Sequence, residues 1–135
     1  MSILPATDEP ETAPFWAAAR EGRLLVQDCG GELRFPPHPG CPGAGWREVS
    51  GRGTVWSFVV VHSPTLPAFA DKTPFPVVIV ELDDAPGVRM VGNLIAAPGA
   101  AIDSVPAGDI AVGMPVRVSF ERAAEDVALP CWTPA

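Results

Sequence analysis

The side chains best equipped for chemistry in this chain are three cysteines and two histidines, and their spacing limits what they can do. Cys29 opens the run Cys-Gly-Gly-Glu-Leu, and Cys41 opens Cys-Pro-Gly-Ala-Gly. A structural zinc site is tetrahedral and takes four thiolate or imidazole ligands, commonly from two Cys-x-x-Cys knuckles. Neither run supplies its second cysteine, and Ala44 stands where the second knuckle would close. His38 could raise the ligand set of Cys29 and Cys41 only to three, and it sits close to Cys41 in a proline-constrained stretch. The expectation is two leftover thiols without metal, on a segment held by packing. Cys131 lies in an apolar run near the end and reads as a small buried hydrophobe.

Nucleophilic catalysis has little to work with. Neither His38 nor His62 stands in a nucleophile-elbow or Cys-x-x-Cys context, and His62 follows an apolar run as a strand-end residue. Asp83–Asp84 and Glu125–Asp126 read as turn residues between strands. Gly51-Arg52-Gly53 is too short for a phosphate loop, although Arg52 could still meet a phosphate.

Charge narrows the partners. With 9 basic and 16 acidic residues the net charge is −7, and there are no tyrosines. Single-strand binding needs a basic groove with stacking aromatics, so a nucleic-acid-binding OB module is the disfavoured alternative. Trp56 and Phe58 lie in a run apolar on both faces and read as core. No apolar run approaches the ~18 residues of a membrane span. The acidic, polar start has no secretory character, and three cysteines suit a reducing compartment better than a disulfide framework. A cytoplasmic protein is expected.

The elements that must position these groups are mostly strands, because 17 prolines and 13 glycines are too many for a helical bundle. Residues 1–23 form an arm and a short helix, with Thr12 as cap, Pro14 in the first turn and Gly22 at the end. Phe15, Trp16 and Ala19 share one side of that helix, to pack on the core or to dock on a partner. Residues 24–48 open with a possible strand at 24–27. They continue as a Gly/Pro/Cys run with little regular structure, since Pro36, Pro37, Pro39 and Pro42 lack backbone donors. Residues 49–135 carry five strand patterns, at 54–61, 77–82, 88–95, 116–121 and 127–132. Gly92 marks a bulge or a close approach, and a longer connection spans 96–114. Five strands with one long connection after the third is the arrangement of an OB fold.

Seven segments in order now carry a resemblance: the stretch 13–29, Leu-Arg-Phe-Pro-Pro at 33–37, Cys-Pro-Gly-Ala-Gly at 41–45, and the segments 50–62, 77–84, 112–121 and 129–135. Together they resemble a thiolase-associated family in which a rubredoxin-like zinc ribbon precedes an OB barrel, a family described as a domain of unknown function. The resemblance implies a mainly β fold: a five-stranded OB barrel behind a short helix and a degenerate ribbon. Intact relatives keep two cysteines in each knuckle; this chain keeps one of each, so zinc is not carried over.

The resemblance also implies a non-catalytic accessory subunit. Its partner would be a thiolase-like acyl-CoA enzyme, a thiolase or a retro-aldol lyase, with steroid side-chain degradation as one setting. Some relatives pair instead with a hot-dog-fold enoyl-CoA hydratase. The subunit would share an acyl-CoA with that enzyme and carry no cofactor of its own. The candidate contacts are Phe15 and Trp16 on the helix, Arg34, Phe35, Pro36 and Pro37 in the diproline loop, and Arg52 for a CoA phosphate.

Overall fold

The computed structural model describes residues 4–41 and 45–135; Ala44 lies outside them. One helix, α1 (Ala13–Arg20), precedes eight strands. Thr12 occupies the N-cap position, yet its hydroxyl faces the Glu9 carbonyl at 3.5 Å and makes no cap to the helix N–H groups. At the other end Gly22 adopts φ +76°, which lets the amides of Gly22 and Arg23 bond back to Ala19 and Ala18.

Three strands form a small antiparallel sheet, β1 (Leu24–Cys29), β2 (Glu32–Arg34) and β3 (Gly45–Val49), in the order β2-β1-β3. This corrects the expectation of an irregular segment after residue 27. The connection from β1 to β2 is two glycines, Gly30 and Gly31, at φ +62° and +97°, with Cys29 paired to Glu32 across the turn. Only residues tolerant of positive φ make this tight hairpin, and Asp28 Oδ1 accepts the Gly31 N–H at 2.7 Å. The prolines fall after β2, where no ladder needs their missing N–H groups.

The other five strands are β4 (Arg52–Val61), β5 (Phe75–Leu82), β6 (Ala85–Asn93), β7 (Pro115–Ala124) and β8 (Val127–Pro134). They run in the order β6-β5-β4-β7-β8, all antiparallel, as a curled half-barrel with OB-fold topology. Each matches an expected strand, and residues 94–114 form the long connection. β4 is the pivot: it pairs along its length with β5 and through Arg52–Thr54 with β7. The two outer strands meet where Leu94 bridges Trp132 in parallel and Ile95 N–H donates to the Trp132 carbonyl at 2.9 Å.

A β-bulge between Val55 and Ser57 leaves Trp56 unpaired with β5. The extra residue turns the indole outward, 47% exposed, with the Arg89 guanidinium 3.9 Å above its ring. The expectation that Trp56 is core is therefore corrected, while Phe58 is partly buried against the core.

One cluster of buried residues spans the whole molecule, joining Phe15 of the helix, Leu24, Val26 and Val49 of the small sheet, and Val55, Val78, Val80, Met90, Val116 and Trp132 of the half-barrel. Between the sheets lies a two-residue joint. Asp84 accepts both the backbone N–H of Ser50 (2.7 Å) and its hydroxyl (2.8 Å). Gly51 turns at φ +79° where a Cβ would stand 2.5 Å from Val118 Cγ1.

Gly92 is a close approach, as its position in the strand pattern suggests. A Cβ there would lie 2.8 Å from the Pro130 carbonyl oxygen and 3.0 Å from the Trp132 indole nitrogen. Trp132 is fully buried, and its Nε1 has no hydrogen-bond partner among the described residues. The indole thus packs face to backbone at the seam of the half-barrel. Gly92→Ala must part that seam and is expected to lower unfolding free energy by about 1–3 kcal/mol, read from the urea midpoint at unchanged slope.

Candidate functional site

The helix, the diproline loop and the seam of the half-barrel converge on one apolar groove of about 170 Å³. Its lining includes Phe15 and Trp16, Phe35, Pro36 and Pro37, and Val91. The two helix aromatics play different parts, because neighbours on a helix point about 100° apart. Phe15 is buried at 3% exposure and meets Trp16 edge to face at 5.0 Å and 85°, and Phe35 at 5.1 Å. Trp16 is half-buried and offers its ring to the groove. Phe15 therefore supports the surface, and Trp16 with the prolines presents it.

The loop is fixed from below by Gln27, which is 6% exposed on β1. Its Oε1 accepts the His38 N–H at 2.8 Å, and its Nε2 donates to the His38 carbonyl at 3.1 Å. A side-chain amide bonding both backbone groups of one residue acts as an extra rung of sheet where Pro36, Pro37 and Pro39 leave the loop poor in donors. Sequence reading passed over Gln27. Gln27 alternates with Leu25 and Cys29, on the face of β1 opposite the core residues Leu24 and Val26, so the strand pattern gives no signal for its burial.

The remaining candidates separate. Arg34 lies on β2, its guanidinium 3.3 Å from Glu32, beside a shallow cleft lined by residues 32–38 with Gly87 and Val88. Arg52 is not among the groove residues. It begins β4 directly opposite Arg117 of β7, and both are exposed. Like charges paired across strands repel.

Val91 extends the groove onto the outer face of the sheet. It is 61% exposed and also lines an apolar cleft with Val61, Leu66, Phe69, Phe75 and Val77. In register, Val91 sits opposite Ile79, and Val77 opposite Val59, which is 59% exposed. Ser57, opposite Ile79, separates this apolar strip from Trp56, which lies under Arg89.

The cysteines correct the sequence reading. Cys29 and Cys41 are bonded to each other as a disulfide with Cα atoms 6.0 Å apart, rather than remaining as two thiols. Sulfurs bonded to each other are not zinc ligands, His38 Nδ1 faces the Pro39 carbonyl at 3.3 Å, and no group of three metal-binding side chains assembles among the described residues. This donor set does not fit a tetrahedral zinc. His62 sits exposed after β4. Cys131 is buried, and burial first, then the charge of Glu121, pushes its thiol pKa up to about 11. Among the described residues no helix is long and apolar enough to cross a membrane.

Comparison with known proteins follows this division of the chain. Residues 16–50 match the model of the ChsH2 rubredoxin-like zinc ribbon domain, and residues 46–121 that of the ChsH2 C-terminal OB-fold domain. The chain belongs to this family. A solved chain of the Ltp2-ChsH2(DUF35) aldolase superposes with a TM-score of 0.78 at 31% identity, covering 96% of this chain and 98% of its own. A probable enoyl-CoA hydratase alpha subunit of Thermomonospora curvata is 40% identical over 129 residues. The 3-oxo-4,17-pregnadiene-20-carboxyl-CoA hydratase alpha subunit of Mycobacterium tuberculosis is 37% identical over 134 residues. The matches cover 90% and 92% of this chain but only 37% and 38% of those relatives. A DUF35 domain-containing scaffold protein of Pyrococcus furiosus is 33% identical over 85 residues, 58% of this chain and 62% of its own.

Two measurements check this geometry. Gln27→Ala leaves both backbone groups of His38 without their partner and is expected to cost about 1–3 kcal/mol, with faster amide exchange at His38. The raised Cys131 pKa means that the folded state resists ionisation, so its contribution is intact below pH 9 and lost as pH rises toward about 11. Stability is expected to fall by up to about 2 kcal/mol across that window, and Cys131→Ala to flatten the fall.

Proposed function

We propose that this chain is a non-catalytic accessory subunit of a thiolase-like acyl-CoA enzyme, a thiolase or a retro-aldol lyase, with steroid side-chain degradation as its setting. The observation that carries the reading is the apolar surface that runs from Trp16 and the diproline loop through Val91 to the cleft by Leu66, Phe69 and Val77. A chain of this size seldom leaves so much adjoining apolar surface to water. The likeness to the chain of the Ltp2-ChsH2(DUF35) aldolase, over nearly its whole length, supports an enzyme of that kind as the cover. The Pyrococcus scaffold protein supports a scaffolding role.

In this reading the partner supplies the reacting groups, and this subunit completes the assembly and helps to hold a shared acyl-CoA. Trp16, Phe35, Pro36 and Pro37 present the contact, and Phe15 supports them. Arg52 with Arg117 meets a phosphate of CoA through guanidinium N–H groups; Arg34 adds charge at the neighbouring cleft. The ribbon works without zinc and the protein without a cofactor of its own, in the cytoplasm and apart from membranes and nucleic acid. The two hydratase alpha subunits favour a second reading, in which the partner is an enoyl-CoA hydratase.

Co-expression with a thiolase-fold and with a hydratase candidate, followed by capture through a tag on this chain, distinguishes the two. Stoichiometric capture of the thiolase-fold protein is the expected result. Val91→Asp, which places a charge where the groove meets the outer face, is expected to weaken capture at least tenfold, about 1.4 kcal/mol or more, at unchanged thermal midpoint. Capture of neither protein, or capture indifferent to Val91→Asp, removes the reading.

A further inference from the structure

We propose that Cys29 and Cys41 form a reversible disulfide staple, open to thiol–disulfide exchange, that holds the ribbon loop in place of zinc. The inference rests on the zinc-free reading of the ribbon, and its test separates the two. Cys29 ends β1 and Cys41 precedes β3, so the bond closes the segment 30–40 into a loop against the central strand of the small sheet. That segment contains β2 and the Phe35-Pro36-Pro37 wall of the groove. Its other tie to β1 beyond the hairpin is the Gln27 clamp at His38. A cross-link of this kind narrows the conformations open to the loop, which is the service a zinc ion performs in a four-cysteine ribbon.

Three features make the staple exchangeable rather than a fixed core bond. Neither cysteine is buried, so a small thiol or disulfide reaches both. The remaining cysteine, Cys131, is buried on β8 and does not compete for pairing. The half-barrel also keeps its own ladder and core whether the bond is open or closed. Closing the staple consumes one low-molecular-weight disulfide. The thiolate of one cysteine attacks it and expels one small thiolate, and the second cysteine then attacks the mixed disulfide and expels the other. The protein dithiol is oxidised, the small disulfide is reduced to two thiols, and the cysteine protons pass to the departing thiolates. The consequence is a groove whose diproline wall is firm when oxidised and loose when reduced.

The test uses the full chain, equilibrated with oxidised glutathione or with dithiothreitol. Three readouts are taken: bound zinc, peptide mapping after alkylation in denaturant, and hydrogen exchange. The expected result is no zinc, a Cys29–Cys41 linked peptide pair with oxidised glutathione, and roughly tenfold faster exchange at residues 30–40 after reduction. Strands β4–β8 should exchange alike in both. Cys29→Ser is expected to show the fast exchange in both buffers. One zinc per chain would overturn the zinc-free reading and the staple with it. A zinc-free chain in which both cysteines alkylate under oxidised glutathione, or exchange that ignores reduction, would overturn the staple alone.

Discussion

Helix, ribbon and half-barrel share a single core, and Phe15 is where the three meet. Its ring is buried with Leu24 and Val26 of the small sheet and with Met90 and Trp132 of the half-barrel, and it touches both Trp16 and Phe35. A sheet of three strands, six, three and five residues long, cannot bury much apolar area by itself. Leu24, Val26 and Val49 instead spend their hydrophobic surface against the larger sheet. The ribbon's position therefore depends on packing first. A cross-link or a clamp then sets only the loop that packing leaves free.

That division explains which parts of the fold were legible in the sequence. The half-barrel strands declared themselves in two ways: β-branched apolar runs such as 77–82, and the alternation that burial on one face imposes, carried plainly by 116–121. β2 and β3 did not, since three and five residues are too short for a period and proline-rich surroundings point away from strands. Gly30-Gly31 was the available sign: two glycines between paired segments make a hairpin turn as readily as they make a lost knuckle. Trp56 misled for a different reason. Its phase along β4 depends on a bulge, and a bulge is set by the strand's partners.

The candidate site was legible in its pieces and not in its assembly. Phe15, Trp16, Phe35, Pro36 and Pro37 do line one groove, yet the wall they face comes from Val91 and Pro130, far along the chain. The distinction between a buried Phe15 and a presented Trp16 follows only once the helix is seated. Pairing of Cys29 with Cys41 has the same origin. Counting ligands shows that a zinc set is incomplete, whereas the proximity that joins two sulfurs belongs to the folded ribbon. Thr12 shows the reverse case, a residue in the right place whose hydroxyl the preceding turn has taken.

The geometry also links the groove to the outer face through one residue. Met90 and Val91 are neighbours on β6 that point to opposite sides, Met90 into the core and Val91 into water. Val91 borders both the helix–diproline groove and the cleft near Leu66 and Phe69, so the two adjoin at this residue. The floor beneath it is stiff, because Gly92 lies against the buried Trp132 at the seam. The wall beside it is the loop that Gln27 and the cysteines tie to β1. A rigid floor with an adjustable wall places the freedom of this surface in residues 30–40, the loop that the Cys29–Cys41 bond closes.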